Sequence, residues 1–183
     1  TGRLTVSHWI YVPSWNFLGQ SNTSEYVNYF AKKKYSGGNT CEWEFRIENA
    51  TGVDSYPRPC RLNFYVFNES CGLGAGAYVQ NNATINTCES SMIGKWIHVV
   101  GGVDDITNDT FIYVNGEKNA DGTGSLFSDY GINVSNTATN ITIGKDLDSQ
   151  GKWFNGSIDD IRIFNITLDR DEIDTLTALN RNG

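Results

Sequence analysis

The chain has 183 residues, a net charge of −7 at pH 7, and 19 glycines against only three prolines. That length suits one domain with a substantial core over 1–183, and no break in composition marks a second. The acidity argues against nucleic acid or an anionic membrane surface as a partner, and no 18-residue apolar run exists to span a bilayer; the only basic run, Lys32-Lys33-Lys34, reads as a solvated strand end or edge protector.

Five Trp, nine Tyr and nine Phe with few helix-forming runs predict many short strands separated by turns. Residues 4–12 alternate apolar and polar and stop at Pro13, a first strand; residues 13–24 form a polar loop carrying Trp15. A second strand covers 26–31, and Ser36-Gly37-Gly38-Asn39 turns the chain into a third over 42–48. There Trp43, Phe45 and Ile47 form a core face, and Glu42, Glu44, Arg46 and Glu48 a face predicted to be wet. Residues 61–67 form a strongly apolar strand. The glycine-rich stretch 72–76 after it lacks the Lys-Ser/Thr ending and following helix of a phosphate loop, so it reads as a hairpin bend before 77–80.

Residues 96–100 and 111–118 pair as strands, the second carrying the hairpin signal Asn115-Gly116, and a further strand covers 139–143. In 153–164, Asn155-Gly156 is a turn into a strand whose Ile158, Ile161, Ile163 and Phe164 are predicted to be core, while Asp159 and Asp160 lie at a rim or bind something. Asp169 and Glu172 form a capping box, and Ile173, Leu176 and Leu179 recur at helical spacing, so a short C-terminal helix follows.

Two features point to the cell exterior. Asn-x-Ser/Thr occurs at Asn22, Asn49, Asn68, Asn82, Asn108, Asn133, Asn140, Asn155 and Asn165, nine sites where chance pairing gives about three. Four cysteines, Cys41, Cys60, Cys71 and Cys88, contain no Cys-x-x-Cys pair, and His8 and His98 lie inside strand patterns, so disulfides are read in preference to zinc. If 41–48 and 60–67 are antiparallel neighbours, Cys41 and Cys60 sit at opposite ends, roughly 23 Å apart and beyond the disulfide limit of about 7 Å. Cys41–Cys71 with Cys60–Cys88 then fits best, though a fold-back of residues 49–59 would restore Cys41–Cys60. Without an initial Met or signal peptide, the chain is expected to be a piece of a larger extracellular protein.

These segments in order, Leu4 to Ile10, Gly94-Lys-Trp-Ile-His-Val-Val, Phe111-Ile-Tyr-Val-Asn-Gly, Ile141-Thr-Ile-Gly and Phe154-Asn-Gly-Ser-Ile-Asp-Asp-Ile-Arg-Ile-Phe with Leu168 and Glu172-Ile173, resemble the laminin G-like, concanavalin A-like jelly-roll family. The resemblance implies an all-β, two-sheet antiparallel sandwich with a short C-terminal helix, sugar or protein ligands at a rim or concave face, and often a calcium ion. An N-terminal strand usual in the family is missing, which would leave an open edge for preceding chain or for self-assembly, and residues 36–93 are this chain's own elaboration.

Calcium needs clustered hard oxygens; Asp146 and Asp148, joined by Asp159 or Asp160, are the candidates, and Asp104, Asp105 and Asp109 form a weaker cluster. A sugar needs an exposed aromatic platform, for which Trp15 and then Trp153 qualify; Trp9 and Trp96 fall at positions the family buries. Glu42, Glu44 and Glu48 resemble the carboxylate comb of jelly-roll glucanases with the wrong spacing and an intervening Arg46, and no Ser-His-Asp set is expected from strand-borne histidines, so no catalytic residues are assigned. The leading expectation is a non-catalytic, N-glycosylated extracellular domain for recognition of, or adhesion to, a carbohydrate or surface protein. A structural subunit of a surface layer, filament or fibre is second, and a jelly-roll glycoside hydrolase a minor third.

Overall fold

A computed structural model describes residues 2–14, 25–34, 40–50, 58–67, 71, 74–78, 92–107, 109–122, 138–145 and 153–179. Ten strands are described: β1 (Leu4–Tyr11), β2 (Glu25–Lys34), β3 (Thr40–Ala50), β4 (Arg58–Phe67), β5 (Gly74–Tyr78), β6 (Trp96–Asp104), β7 (Asp109–Val114), β8 (Glu117–Gly122), β9 (Ile141–Ile143) and β10 (Ser157–Phe164), followed by helix α1 (Arg170–Ala178). They form two antiparallel sheets, β10-β1-β6-β7-β8 and β5-β4-β3-β2-β9. Across the sandwich β5 packs on β7 and β8, and β4 on β7 and β6. The opposite margin is left to the edge strands β9 and β10.

The core lies between the sheets, where alternation sends Val6 and Ile10 of β1, Trp43, Phe45 and Ile47 of β3, Leu62, Phe64 and Val66 of β4, and Ile97 and Val99 of β6. In β2 the register slips between Asn28 and Phe30, so consecutive Tyr29 and Phe30 both enter the core. Gly101 lets the sheets approach: a Cβ there would lie 2.6 Å from the rings of Phe45 and Phe64. On the other face of the same sheet, Gly102 leaves room for the ring of its cross-strand partner Phe111, which a Cβ there would meet.

Outside the first sheet, α1 covers Val100, Phe111 and Tyr113 with Leu168 and Ile173. The predicted capping box is present, Glu172 N–H donating to Asp169 Oδ1 (2.9 Å) and Asp169 N–H to Glu172 Oε2 (2.9 Å). Asn115 and Gly116 form the predicted hairpin turn with φ of 51° and 81°, and Asn115 exchanges two hydrogen bonds of 2.9 Å with the His98 backbone.

Several predicted boundaries change. Strand β5 begins at Gly74, so part of the glycine-rich bend is itself a strand, paired Phe67↔Gly74 and Tyr65↔Gly76 on β4. In β10, Asp160 and Ile161 together oppose His8, a bulge with Asp160 at φ 48°. Ile158 and Ile161 pack on the core as predicted; Phe164 packs instead with the cluster under α1, and Ile163 at the open edge stays 44% exposed.

Candidate functional site

The predicted wet face of β3 is closed. Glu42, Glu44 and Glu48 are each at most 3% exposed, and the neighbouring strands bring cations to the same face. Lys32 Nζ lies 2.9 Å from Glu42 and Lys33 Nζ 2.5 Å from Glu44; Arg46 spans Glu44 and Glu48 at 3.7 and 3.8 Å; Arg61 donates to Glu48 at 2.8 Å and Asn63 at 3.3 Å. The Arg46 guanidinium also lies over the Tyr65 ring at 4.1 Å and Tyr26 at 5.0 Å. Burial opposes its charge, but Tyr65, Glu44 and Glu48 outweigh that and raise its pKa further. Two of the three lysines are thus not solvated: Lys33 is 2% exposed and, with Lys32, a counter-ion of the comb, while Lys34 at the end of β2 is exposed.

The outward face of the first sheet holds a neutral hydrogen-bond chain. Thr177 gives its hydroxyl hydrogen to the Ile173 carbonyl (2.9 Å), so it accepts from His98 Nδ1–H at 2.8 Å; Nε2 is then the acceptor for the Ser7 hydroxyl, also at 2.8 Å. Burial lowers the His98 pKa to about 4, with Asp160 raising and Arg162 lowering it. Cross-strand pairing, Ser7↔Val100 and Trp9↔His98, brings a serine and a strand-borne histidine together. Here a threonine stands where a triad has its carboxylate, and Ser7 is 2% exposed, so the chain ties β1 and β6 to α1. His8 lies in the core, Nε2 3.1 Å from Tyr29 Oη, its pKa lowered to about 3 by burial and then by His98.

An open cavity of about 260 Å³ lies where the β6–β7 turn meets the head of α1. Asp109, Phe111 and Tyr113 alternate along β7 onto its wall, Lys118 stands across from Tyr113 on β8, and Asp104 and Thr167 complete the rim. The weaker acidic cluster is divided by this geometry. Burial works against the Asp104 carboxylate, but the amides of Ile106 (2.8 Å) and Thr107 (3.4 Å) and the Thr167 hydroxyl hold its pKa below the usual value. Asp105 accepts from Gly2 N–H at 3.0 Å and lies 3.9 Å from Arg3. Asp109 lines the cavity, which no local motif announced, because its wall assembles from residues 104 to 170.

Trp153 is 61% exposed with Lys145 Nζ 4.4 Å from its ring centroid, whereas Trp9 is 5% exposed and Trp96 half-buried. Trp15, Asp146 and Asp148 lie outside the described residues. Asp159 Oδ1 accepts from Asp160 N–H (2.6 Å), and Asp160 receives Arg162 Nε and Nη2 at 3.2 and 3.1 Å, so a cation at Asp160 would face a guanidinium. Among the described residues no three His, Cys, Asp or Glu side chains converge as a metal site. Cys41 and Cys71 are bonded, as expected; the pairing of Cys60 with Cys88 involves a residue outside the described set. Of the sequons, Asn140, Asn155 and Asn165 are exposed, Asn49 lies in β3, and the others fall outside the described residues.

Two packed antiparallel sheets with one covering helix and ion-paired acids define a jelly-roll sandwich of the concanavalin A type. The chain belongs to the concanavalin A-like lectin/glucanases superfamily, whose Laminin G 3 model matches residues 1–174. No curated protein matches it significantly. Among solved structures, the receptor binding domain of botulinum neurotoxin type G superposes with a TM-score of 0.61 at 14% identity, covering 98% of this chain and 38% of that one. The binding domain of botulinum neurotoxin serotype D gives 0.62 at 16%, covering 97% and 37%. The chain thus spans little more than a third of either, and at these identities the likeness is one of fold. Among the described residues no helix is long and apolar enough to cross a membrane.

Proposed function

We propose that this chain is a non-catalytic, N-glycosylated recognition domain of the cell exterior, taking a sugar or a glycosylated protein surface in the cavity between the β6–β7 turn and the head of α1. The observation that carries this is the cavity's composition: carboxylates and hydroxyls suited to sugar hydroxyls, the cationic Lys118 and Arg170, and the aromatic Phe111 and Tyr113. The solved relatives named as receptor-binding domains support a binding role on the same fold. A hydrolase needs two carboxylates free to exchange protons across a cleft. Glu44 and Glu48 are both engaged by Arg46, with Lys33 and Arg61 on their other sides, which favours a structural role for the comb.

The test is a glycan array probed with the secreted chain, then titration of the best ligand. Asp109→Asn and Lys118→Ala are each expected to weaken binding at least about tenfold, the scale of one lost hydrogen bond to a charged group, with Tm unchanged. Binding unaltered in both variants overturns the assignment to the cavity, and hydrolysis of a bound glycan that is lost in Glu44→Gln while circular dichroism shows the variant still folded overturns the non-catalytic reading. Calcium enters only through Asp146, Asp148 and Asp159, and a chelator that leaves Tm unmoved eliminates it. The second reading, a structural surface subunit, is favoured by Ile141 and Ile143, 44% and 55% exposed on edge strand β9. Concentration-dependent assembly in sedimentation would select it over a monomeric recognition domain.

A further inference from the structure

The sequon at Asn155 differs from the other eight: it alone has an aromatic residue two positions earlier, Trp153. Phe154 between them turns inward, its ring 5.2 Å from Tyr29 and its N–H donating to Gly144 O at 2.9 Å. Trp153 and Asn155, on either side, are both turned out to solvent. In extended chain, residues two apart share a side and stand about 7 Å apart, within reach of a sugar ring carried on the asparagine amide. The backbone here is fixed: Trp153 forms an antiparallel bridge with Lys145, and Gly156 lies so close to β1 that a Cβ would sit 2.3 Å from the Tyr11 carbonyl oxygen. The Lys145 ammonium occupies one face of the indole, and Trp153 as a whole remains 61% exposed.

From this placement we infer that Trp153 is the seat of the chain's own glycan: the first N-acetylhexosamine linked to Asn155 packs its apolar C–H face on the indole and stabilises the turn into β10. Sugar C–H groups carry partial positive charge and the ring face partial negative charge, the same electrostatics that places cations over tryptophan. Trp153 thereby becomes an intramolecular platform in place of a site for foreign glycans. The inference rests on the N-glycosylated, extracellular reading above.

The experiment expresses the full chain through a eukaryotic secretory pathway, maps occupancy by peptide mass spectrometry, and measures Tm for wild type, Asn155→Gln, Trp153→Ala and the double variant. Asn155 is expected to be occupied, and its loss to lower Tm by about 2–4 °C with Trp153 present and by much less in the Trp153→Ala background. In isotope-labelled glycan, ring-current shifts of the first sugar's protons should vanish on Trp153→Ala, a readout independent of stability. An unmodified Asn155 beside occupied Asn140 and Asn165 overturns this inference alone; no sugar on any sequon overturns it together with the glycoprotein reading. Equal Tm losses in both backgrounds also overturn it, as does free chitobiose perturbing Trp153 fluorescence in the deglycosylated protein, since that marks a site for external sugar.

Discussion

The outward face of β2-β3-β4 is closed by charge, with three glutamates held between two lysines and two arginines, whereas the outward face of β1-β6-β7 is closed by an apolar helix and a chain of neutral hydrogen bonds. The difference lies in how each responds to a single loss. Removing one member of a buried ion network leaves an opposite charge with no solvent to take its place, and the cost falls on the whole sheet. Removing one apolar contact from a docked helix loosens that helix first.

The largest effect is expected at the charged face. Glu44→Gln removes the buried carboxylate that Lys33 (2.5 Å) and Arg46 (3.7 Å) share and should cost about 3–5 kcal/mol, a global loss seen as a lower urea midpoint with an unchanged slope. At the helical face, Ile173→Ala removes the one fully buried side chain described in α1 and should cost about 2–4 kcal/mol, with hydrogen exchange accelerated first in residues 170–178. Acid sensitivity is smaller for each histidine taken alone. His98 is neutral in the fold with a pKa of about 4, below the value near 6.5 of the unfolded chain, so its contribution is complete above pH 6.5 and is lost as pH falls toward 4. By pH 5 that loss is about 2 kcal/mol, with a comparable share from His8, whose pKa is about 3; His98→Asn should remove the His98 part of the slope. The smallest is Asp174→Asn, which breaks an exposed pair with Arg170 (2.9 Å) and should leave Tm within error.

Much of this architecture was legible in local sequence. Alternation in β3, the Asn115-Gly116 turn and the Asp169/Glu172 capping box each rest on contacts within a few residues, and all three appear as read. The polarity of the second β3 face was read correctly and its solvation wrongly, since an alternating Glu pattern does not say which cations face it. That depends on register: Arg61 stands opposite Glu48, and a slip between Lys32 and Lys33 turns both lysines to account. Ser7, His98 and Thr177 are separated by 91 and 79 residues, and Asp109 and Arg170 meet only because α1 folds back over β7, so no spacing rule could announce them. The bulge at Asp160 keeps Ile163 on the side of β10 that pairs with core residue Val6, and Ile163 is nevertheless 44% exposed because β10 is the edge strand of its sheet.

The proposed division of labour gives recognition to the helix-side cavity and stability to the glutamate comb. Hydrogen exchange of the secreted chain, with and without a saturating ligand from the glycan array, addresses it directly. Protection is expected at residues 104–113 and at the start of α1, with β3 and β4 unchanged. Protection confined to β3 and β4, around Glu44 and Glu48, would contradict it.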